Sequence, residues 1–293
     1  MQNIDPVLFL EPVMAVLMSA AGIIYWRRRR GFKRALLLLA LVAYAGAIMA
    51  KVAIQAASFP AAQSFFGPAS LGLGLYFGLQ TVFLEVGLAY LVASLSVKRA
   101  VAGASDGVGY GLSLAFWENG VLLGALPILN LTVTYMLIAS GSSLGQTVYT
   151  TVYNADPTYF QPPSVILWSV LLGTLERLSS MLIHVAWGVL VVLAAASGRK
   201  RYLAYALPMG LVDALVPFAS LNMNLFEAGI FLISLGCVAV AWLSLRQSSA
   251  LLTAGPGSQT APVSAAGAFS VSPQGTRSAR QSYRSESTAE HSC

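Results

Sequence analysis

Apolar runs long enough to cross a membrane recur along this 293-residue chain. A hydrocarbon core about 30 Å thick needs roughly 20 residues of helix, and the bilayer forces each such run to satisfy its backbone as a helix. The runs lie at 7–26, 35–57, 70–96, 107–138, 164–197, 202–220 and 224–245. Hydrophobic residues make up 57% of the chain and charged residues 10%, which excludes an ordinary soluble domain. The sequence therefore predicts an all-α, polytopic transmembrane helix bundle of about seven spans over residues 1–246.

Basic residues mark alternate ends of these runs. Arginines occupy positions 27–30, Lys98 and Arg99 follow the third run, and Lys200 and Arg201 follow the fifth. Cytoplasmic connections carry the excess of lysine and arginine. We therefore predict an outside N-terminus and an inside C-terminus in the plasma membrane. The net charge of +6 is then a signal of topology, so the expected partner is membrane lipid and not nucleic acid.

Two segments between or beyond the runs have polar, turn-rich compositions. The connection at 140–163 is rich in Ser, Thr, Tyr, Asn and Pro, which predicts irregular exposed structure. Residues 247–293 are rich in Ser, Ala, Gly, Pro and Gln, which predicts a disordered cytoplasmic tail.

Four ionisable residues from four different runs are predicted to share one depth. They are Glu85, Glu118, His184 and Asp213. At about 1.5 Å per helical residue, each lies roughly 18 to 22 Å from the cytoplasmic edge. Ionisable side chains inside a membrane usually face the protein interior and mark a site or an ion pair. We therefore expect these four side chains to form one polar layer.

Three further charges lie within the runs. Glu176 and Arg177 lie closer to the outer face, where we expect an ion pair, with Arg177 otherwise able to orient a substrate carbonyl. Lys51 lies 17 residues beyond Arg34, which predicts a side chain that snorkels to the far interface.

The residue types in the polar layer are compatible with three kinds of function. An imidazole and carboxylates in a sheltered pocket can hold a divalent metal, and a carboxylate not used as a ligand can act as general base in hydrolysis. The same groups can instead form a structural hydrogen-bond network between helices. They can also line a path for ions or protons. Composition and spacing leave all three open.

Four short motifs, in order along the chain, resemble those of the YhfC-type intramembrane metalloproteases, a family related to the CAAX-processing and PrsW-type membrane endopeptidases. They are FLEVG at 83–87, GVGYGLSLAFWENG at 107–120, LER at 175–177 with His184 eight residues after the glutamate, and LVD at 211–213. The resemblance covers about residues 70–217. It implies an in-membrane site that hydrolyses a membrane-embedded or juxtamembrane peptide.

The resemblance also implies a set of site residues. His184, Glu118 and Asp213 would bind a divalent metal, with zinc the foremost candidate, and the catalytic groups would come from Glu118, Glu85, Glu176 and Arg177.

The chain departs from the family pattern at four positions. Leu84 and Leu88 stand where an acid and a base are usual, and Tyr110 and Met209 stand where histidines are expected. A catalytically degenerate member that acts as a membrane scaffold or binding protein is therefore the alternative to an enzyme, and an ion-coupled transporter is the second alternative.

Overall fold

The computed structural model describes residues 3–253, with side chains described as far as Ser248. This part of the chain is helical and contains no strand. The α-helices in this range are α1 (Leu10–Arg30), α2 (Arg34–Phe66), α3 (Leu71–Gln80), α4 (Gly87–Lys98), α5 (Gly107–Ala115), α6 (Leu126–Ala139), α7 (Ser143–Ala155), α8 (Pro163–Ser197), α9 (Lys200–Ala206) and α10 (Met223–Thr253). Two π-helical segments interrupt long helices: the first π segment (Thr81–Val86) joins α3 to α4, and the second π segment (Phe116–Ala125) joins α5 to α6.

Six helices of the described residues are long and apolar enough to span a membrane, so the prediction of a polytopic helical bundle is confirmed. They are Pro6–Arg30, Arg34–Phe66, Leu71–Lys98, Ala104–Ala139, Pro163–Ser197 and Met223–Ser248. The predicted run at 202–220 is not among the six. It comprises α9 and a 3₁₀ segment (Leu207–Phe218), which together extend about 34 Å at the rises of α- and 3₁₀-helices. The chain from α9 through the 3₁₀ segment is thus long enough to cross the bilayer once.

The polar connection at 140–163 is not irregular, and this prediction was wrong. Most of it forms α7, whose N-terminus is capped by the Ser142 hydroxyl accepting from the Gly145 N–H. Val148, Tyr149 and Val152 turn one face of α7 onto a small apolar cluster around Phe160. The hydroxyls of its threonines donate to backbone carbonyls one turn earlier in the chain. A helix can therefore form here although the composition is typical of a loop.

Helix α8 is the central element of the bundle. In its most apolar 18-residue window 67% of residues are buried, whereas the corresponding windows of the other five spans are 17–39% buried. α5 and α10 pack on it most extensively, and α1 and α4 also contact it. A side chain on the inner face of α8 is therefore shielded from lipid on several sides.

The packing of α5 on α8 depends on a backbone contact between glycines. A Cβ atom on Gly188 would lie 2.6 Å from the Gly111 nitrogen, and one on Gly111 would lie 2.6 Å from the Val185 Cα. Small residues allow this close approach of membrane helices. The contact fixes the depth at which α5, and the second π segment that follows it, present their side chains to α8.

We predict that Gly188→Leu lowers the apparent free energy of unfolding by about 3 kcal/mol, because the new side chain must push two backbones apart. Titration with a denaturing detergent measures this change. Gly229→Leu is the matched control, since a Cβ at Gly229 has no atom within 4 Å. An equal loss in both variants would contradict the role given to the glycine contact.

The last helix extends to Thr253, and residues 254–293 of the predicted tail lie outside the described residues.

Candidate metal centre

Two of the predicted acids lie in π-helical turns, and π-turns are frequent at functional sites. Glu85 is in the first π segment and Glu118 in the second. The extra residue in such a turn shifts the register of the helix, so that a side chain points where regular spacing would not place it. His184 lies on the buried face of regular α8, opposite both segments. Three different spans thus supply one cluster.

Glu85, Glu118 and His184 converge so that one potential ligand atom from each lies within 4.8 Å of the others. His184 Nε2 is 2.7 Å from Glu118 Oε2 and 3.9 Å from Glu85 Oε2. The ligand atoms of a tetrahedral zinc site lie about 3.3 Å apart, which falls between these two distances. Small side-chain movements would therefore bring the three groups to metal-binding separations.

The orientation of the imidazole leaves Nε2 facing the carboxylates. His184 Nδ1 lies 2.9 Å from the Ser180 carbonyl oxygen, so Nδ1 carries the proton and donates it there. A metal-ligating histidine is usually held in this way through its second nitrogen. The Ser180 hydroxyl also donates to Glu118 Oε1 at 2.9 Å, so one residue of α8 orients two members of the cluster.

Nε2 is buried and, within the described residues, has no hydrogen bond of acceptable geometry despite its short distance to Glu118. A buried polar atom without a hydrogen bond is costly. A neutral imidazole nitrogen and two carboxylates are suitable ligands for a divalent metal. The donor set and the unsatisfied nitrogen therefore fit a bound metal ion.

Asp213 lies beside this cluster but is not part of the three-residue group. Its Oδ2 accepts hydrogen bonds from the Thr81 hydroxyl and from Lys51 Nζ, the latter at 3.3 Å. Lys51 Nζ also donates to Glu85 Oε1 at 2.5 Å and to Thr81 Oγ1 at 2.8 Å. The structure thus connects Asp213 to Glu85 through one ammonium group, and it does not place Asp213 among the candidate ligands.

The prediction that Lys51 snorkels to the interface was wrong. Its side chain is 13% exposed and is held between two carboxylates. A buried charge is stable only when it is paired, and Glu85 and Asp213 provide the pairing. A lone lysine in an otherwise apolar run, in a chain with unpaired acids at similar depth, was the signal available in the sequence.

We predict that Lys51→Met lowers the apparent free energy of unfolding by about 3 kcal/mol, because the buried carboxylate of Glu85 and the partly exposed one of Asp213 lose their shared cation. Denaturing-detergent titration is the measurement. Lys98→Met, at an exposed helix end, is the matched control and should change stability little. In a background of Glu85→Gln and Asp213→Asn the cost of Lys51→Met should largely disappear, and an unchanged cost there would contradict the assigned pairing.

Glu176 and Arg177 form an ion pair near the cluster. Arg177 Nη2 donates to Glu176 Oε1, and Arg177 Nε lies 3.7 Å from Glu11 Oε1 on α1. The Glu11 carboxylate packs against Gly173. Sequence reasoning missed Glu11 because it lies near the start of the first run, where an acid also fits a helix N-terminus.

The cluster opens into a cavity of about 180 Å³ that contains most of the predicted site residues. The polar groups on its wall are Lys51, Thr81, Glu85, Glu118, Glu176, Ser180, His184 and Asp213. Arg177 does not line it. The remaining wall is mainly apolar and includes Tyr44, Trp187 and Phe226. The predicted polar layer is therefore a pocket of charged groups among apolar side chains.

At two of the four positions that depart from the family pattern, the side chain packs in the core of the bundle. The Tyr110 side chain is 1% exposed, and its hydroxyl donates to the Ala89 carbonyl at 3.0 Å. Met209 is buried in the core. Neither lines the cavity, so its described wall contains one imidazole.

Fold and site together define a polytopic membrane protein with a histidine–carboxylate centre inside the bundle. The chain matches the family model described as YhfC intramembrane metalloprotease over residues 14–247. It therefore belongs to the YhfC intramembrane metalloprotease family and is an integral membrane protein. No curated protein and no solved structure matches the chain.

Proposed function

We propose that this protein hydrolyses peptide bonds within the membrane at a zinc ion held by His184, Glu118 and Glu85. The observation that carries the proposal is the convergence of these three side chains from separate spans, with the Nε2 atom of His184 directed at both carboxylates. Bound zinc would supply Lewis-acid polarisation of the scissile carbonyl. The plasma membrane is the proposed location, from the distribution of basic residues.

The charges of the pocket support this assignment. Two carboxylates, Glu85 and Glu118, balance a divalent cation, and Lys51 balances Asp213. Buried charges are tolerated when they are matched in this way. Glu176, the remaining carboxylate on the cavity wall, is balanced by Arg177, so these groups together carry no net charge.

Asp213 is the proposed general base. It lines the cavity, it is not needed as a ligand, and its Oδ2 is fixed by Thr81 and Lys51. Its Oδ1 has no hydrogen-bond partner within the described residues, so Oδ1 can accept the proton of a water molecule and later return it to the leaving amine. Lys51 orients the Asp213 carboxylate for this transfer through its contact with Oδ2.

The proposed substrate is an apolar membrane segment that reaches the pocket from the side. A groove of about 530 Å³ runs between the 3₁₀ segment and α10, and its lining is almost entirely apolar. Val212 lines both this lateral groove and the polar cavity. A Cβ on Gly236 in the groove would meet no atom within 4 Å, so there is room for a partner. In this proposal the substrate moves from the groove past Val212 to the site.

We predict that Gly236→Trp slows cleavage of a membrane-spanning reporter peptide about tenfold or more, because the indole occupies the groove and lowers kcat/KM. Gly229→Trp is the matched control, since Gly229 also lies in open space on α10 but outside the groove. A fluorogenic reporter in proteoliposomes provides the measurement. Equal rates for the two variants would show that the substrate does not use this groove.

The proposed function is tested by removal and return of the metal. Purified protein in proteoliposomes should cleave a single-span fluorogenic reporter, lose activity after chelation, and regain it with zinc. Activity that persists after complete removal of metal would contradict the proposal.

The second candidate function is that of a non-catalytic family member that binds membrane peptides. The packing roles of Tyr110 and Met209, at positions where the resemblance implies histidines, favour it. A wild-type protein that binds the reporter peptide without cleaving it, with zinc bound, would support this candidate.

A further inference from the structure

A second cavity, of about 780 Å³, lies at the basic end of the bundle, away from the metal centre. It lies between the C-terminal ends of α1 and α10 and is bounded by the start of α2 and of α5. Its lining residues are Trp26, Arg30, Gly31, Phe32, Leu36, Ser105, Asp106, Val108, Trp242, Leu245 and Arg246. The cavity thus has a mainly apolar wall that contains three charged residues, Arg30, Asp106 and Arg246.

The two helices that flank this cavity carry the same pair of residues at the same spacing. Trp26 precedes Arg30 on α1, and Trp242 precedes Arg246 on α10, in each case by four residues. Residues four apart lie on one helix face, with the arginine about 6 Å further along the axis. The Arg246 guanidinium lies over the Trp242 ring, 5.1 Å from its centroid. Each flank therefore presents an indole and, one turn further out, a guanidinium.

The charge of the cavity lining is positive. Its one carboxylate, Asp106, is buried and is neutralised by Lys33 Nζ at 2.6 Å. Neither Arg30 nor Arg246 has a carboxylate partner within the described residues. Two guanidinium groups thus remain for an anionic ligand.

We propose that this cavity binds one anionic phospholipid, with its phosphate between Arg30 and Arg246 and an acyl chain along Phe32, Leu36 and Val108. Tryptophan occupies the headgroup level of membrane proteins, and basic pockets between helices at the cytoplasmic end bind anionic headgroups. One guanidinium group can bind two oxygens of the same phosphate through two parallel hydrogen bonds. The apolar wall beside the arginines can be covered by the acyl chain of a lipid, whereas a free anion would leave it uncovered.

Native mass spectrometry of the detergent-purified protein tests the proposal directly. We expect one phosphatidylglycerol per chain to be retained, with at least about tenfold preference over phosphatidylcholine. Inorganic phosphate at the same concentration should not displace it. Equal retention of phosphatidylcholine, or displacement by phosphate, would overturn the proposal without reference to enzymatic activity.

Variants then locate the lipid. The double substitution R30Q/R246Q should weaken phosphatidylglycerol binding roughly 10- to 30-fold, since each arginine contributes to headgroup attraction. R28Q/R29Q is the matched control, because it also removes two positive charges from the basic end of the bundle but leaves the cavity lining unchanged. Equal weakening in both variants would show that general charge, and not this cavity, holds the lipid. If the first variant does not fold, the lipid preference of the wild type still decides.

Discussion

Replacement of Asp213 by asparagine should lower peptide cleavage about 10²- to 10⁴-fold and leave bound metal unchanged. This is the usual range for loss of a general base. The metal should remain because Asp213 lies outside the group formed by Glu85, Glu118 and His184. The fold should also remain, since Lys51 keeps its contact with Glu85 and an amide oxygen can still accept from Thr81. Steady-state kinetics together with metal analysis measures both effects.

Glu176→Gln is the matched control for this prediction. Glu176 is a carboxylate on the wall of the same cavity, but its Oε1 accepts from Arg177. We expect a change in rate of less than about tenfold, because no proton transfer depends on it. A large loss with Glu176→Gln and a small one with Asp213→Asn would reverse the assignment of the base.

Removal of the His184 imidazole should weaken metal binding by more than about 100-fold and abolish cleavage. His184 supplies the only nitrogen among the candidate ligands, and loss even of an outer-shell partner commonly costs 10- to 100-fold in metal affinity. Competition with a chromophoric chelator measures the affinity of His184→Ala.

His291→Ala is the matched control, because His291 is the other of the two histidines in the chain. It should bind metal with the affinity of the wild type. A metal that leaves the His291 variant and stays with the His184 variant would contradict the site.

The sequence predicted the polar layer because ionisable residues in a membrane are few and their depth follows from simple counting. Glu85, Glu118 and His184 do come together, and Asp213 is linked to Glu85 through the ammonium group of Lys51. Counting residues from the charged ends of the runs gave the depth of each ionisable side chain in the membrane, but not the direction in which it points. Direction depended on the π-turns at Glu85 and Glu118, which shift helix register and have no periodic signature in the sequence.

Other features depended on contacts between distant residues. The burial of Lys51 required knowledge that α2 packs beside the first π segment. The run at 202–220 looked like an ordinary span, yet its 3₁₀ segment lies on α3 through Gly78 and Ala214, and this contact places Asp213 near Thr81. Helix α7 was hidden by polar residues whose partners lie one turn away on α7 itself. Tertiary packing decided the first two of these features, and hydrogen bonds within the helix decided the third.

X-ray absorption at the zinc edge of the purified, zinc-loaded protein tests the central claim most directly. The account predicts one zinc per chain, bound by one imidazole nitrogen at about 2.0 Å and carboxylate oxygens at about 2.0 to 2.2 Å. That ligand set is the one formed by His184, Glu85 and Glu118. A protein that takes up no zinc, or zinc surrounded by water oxygens without an imidazole, would contradict it.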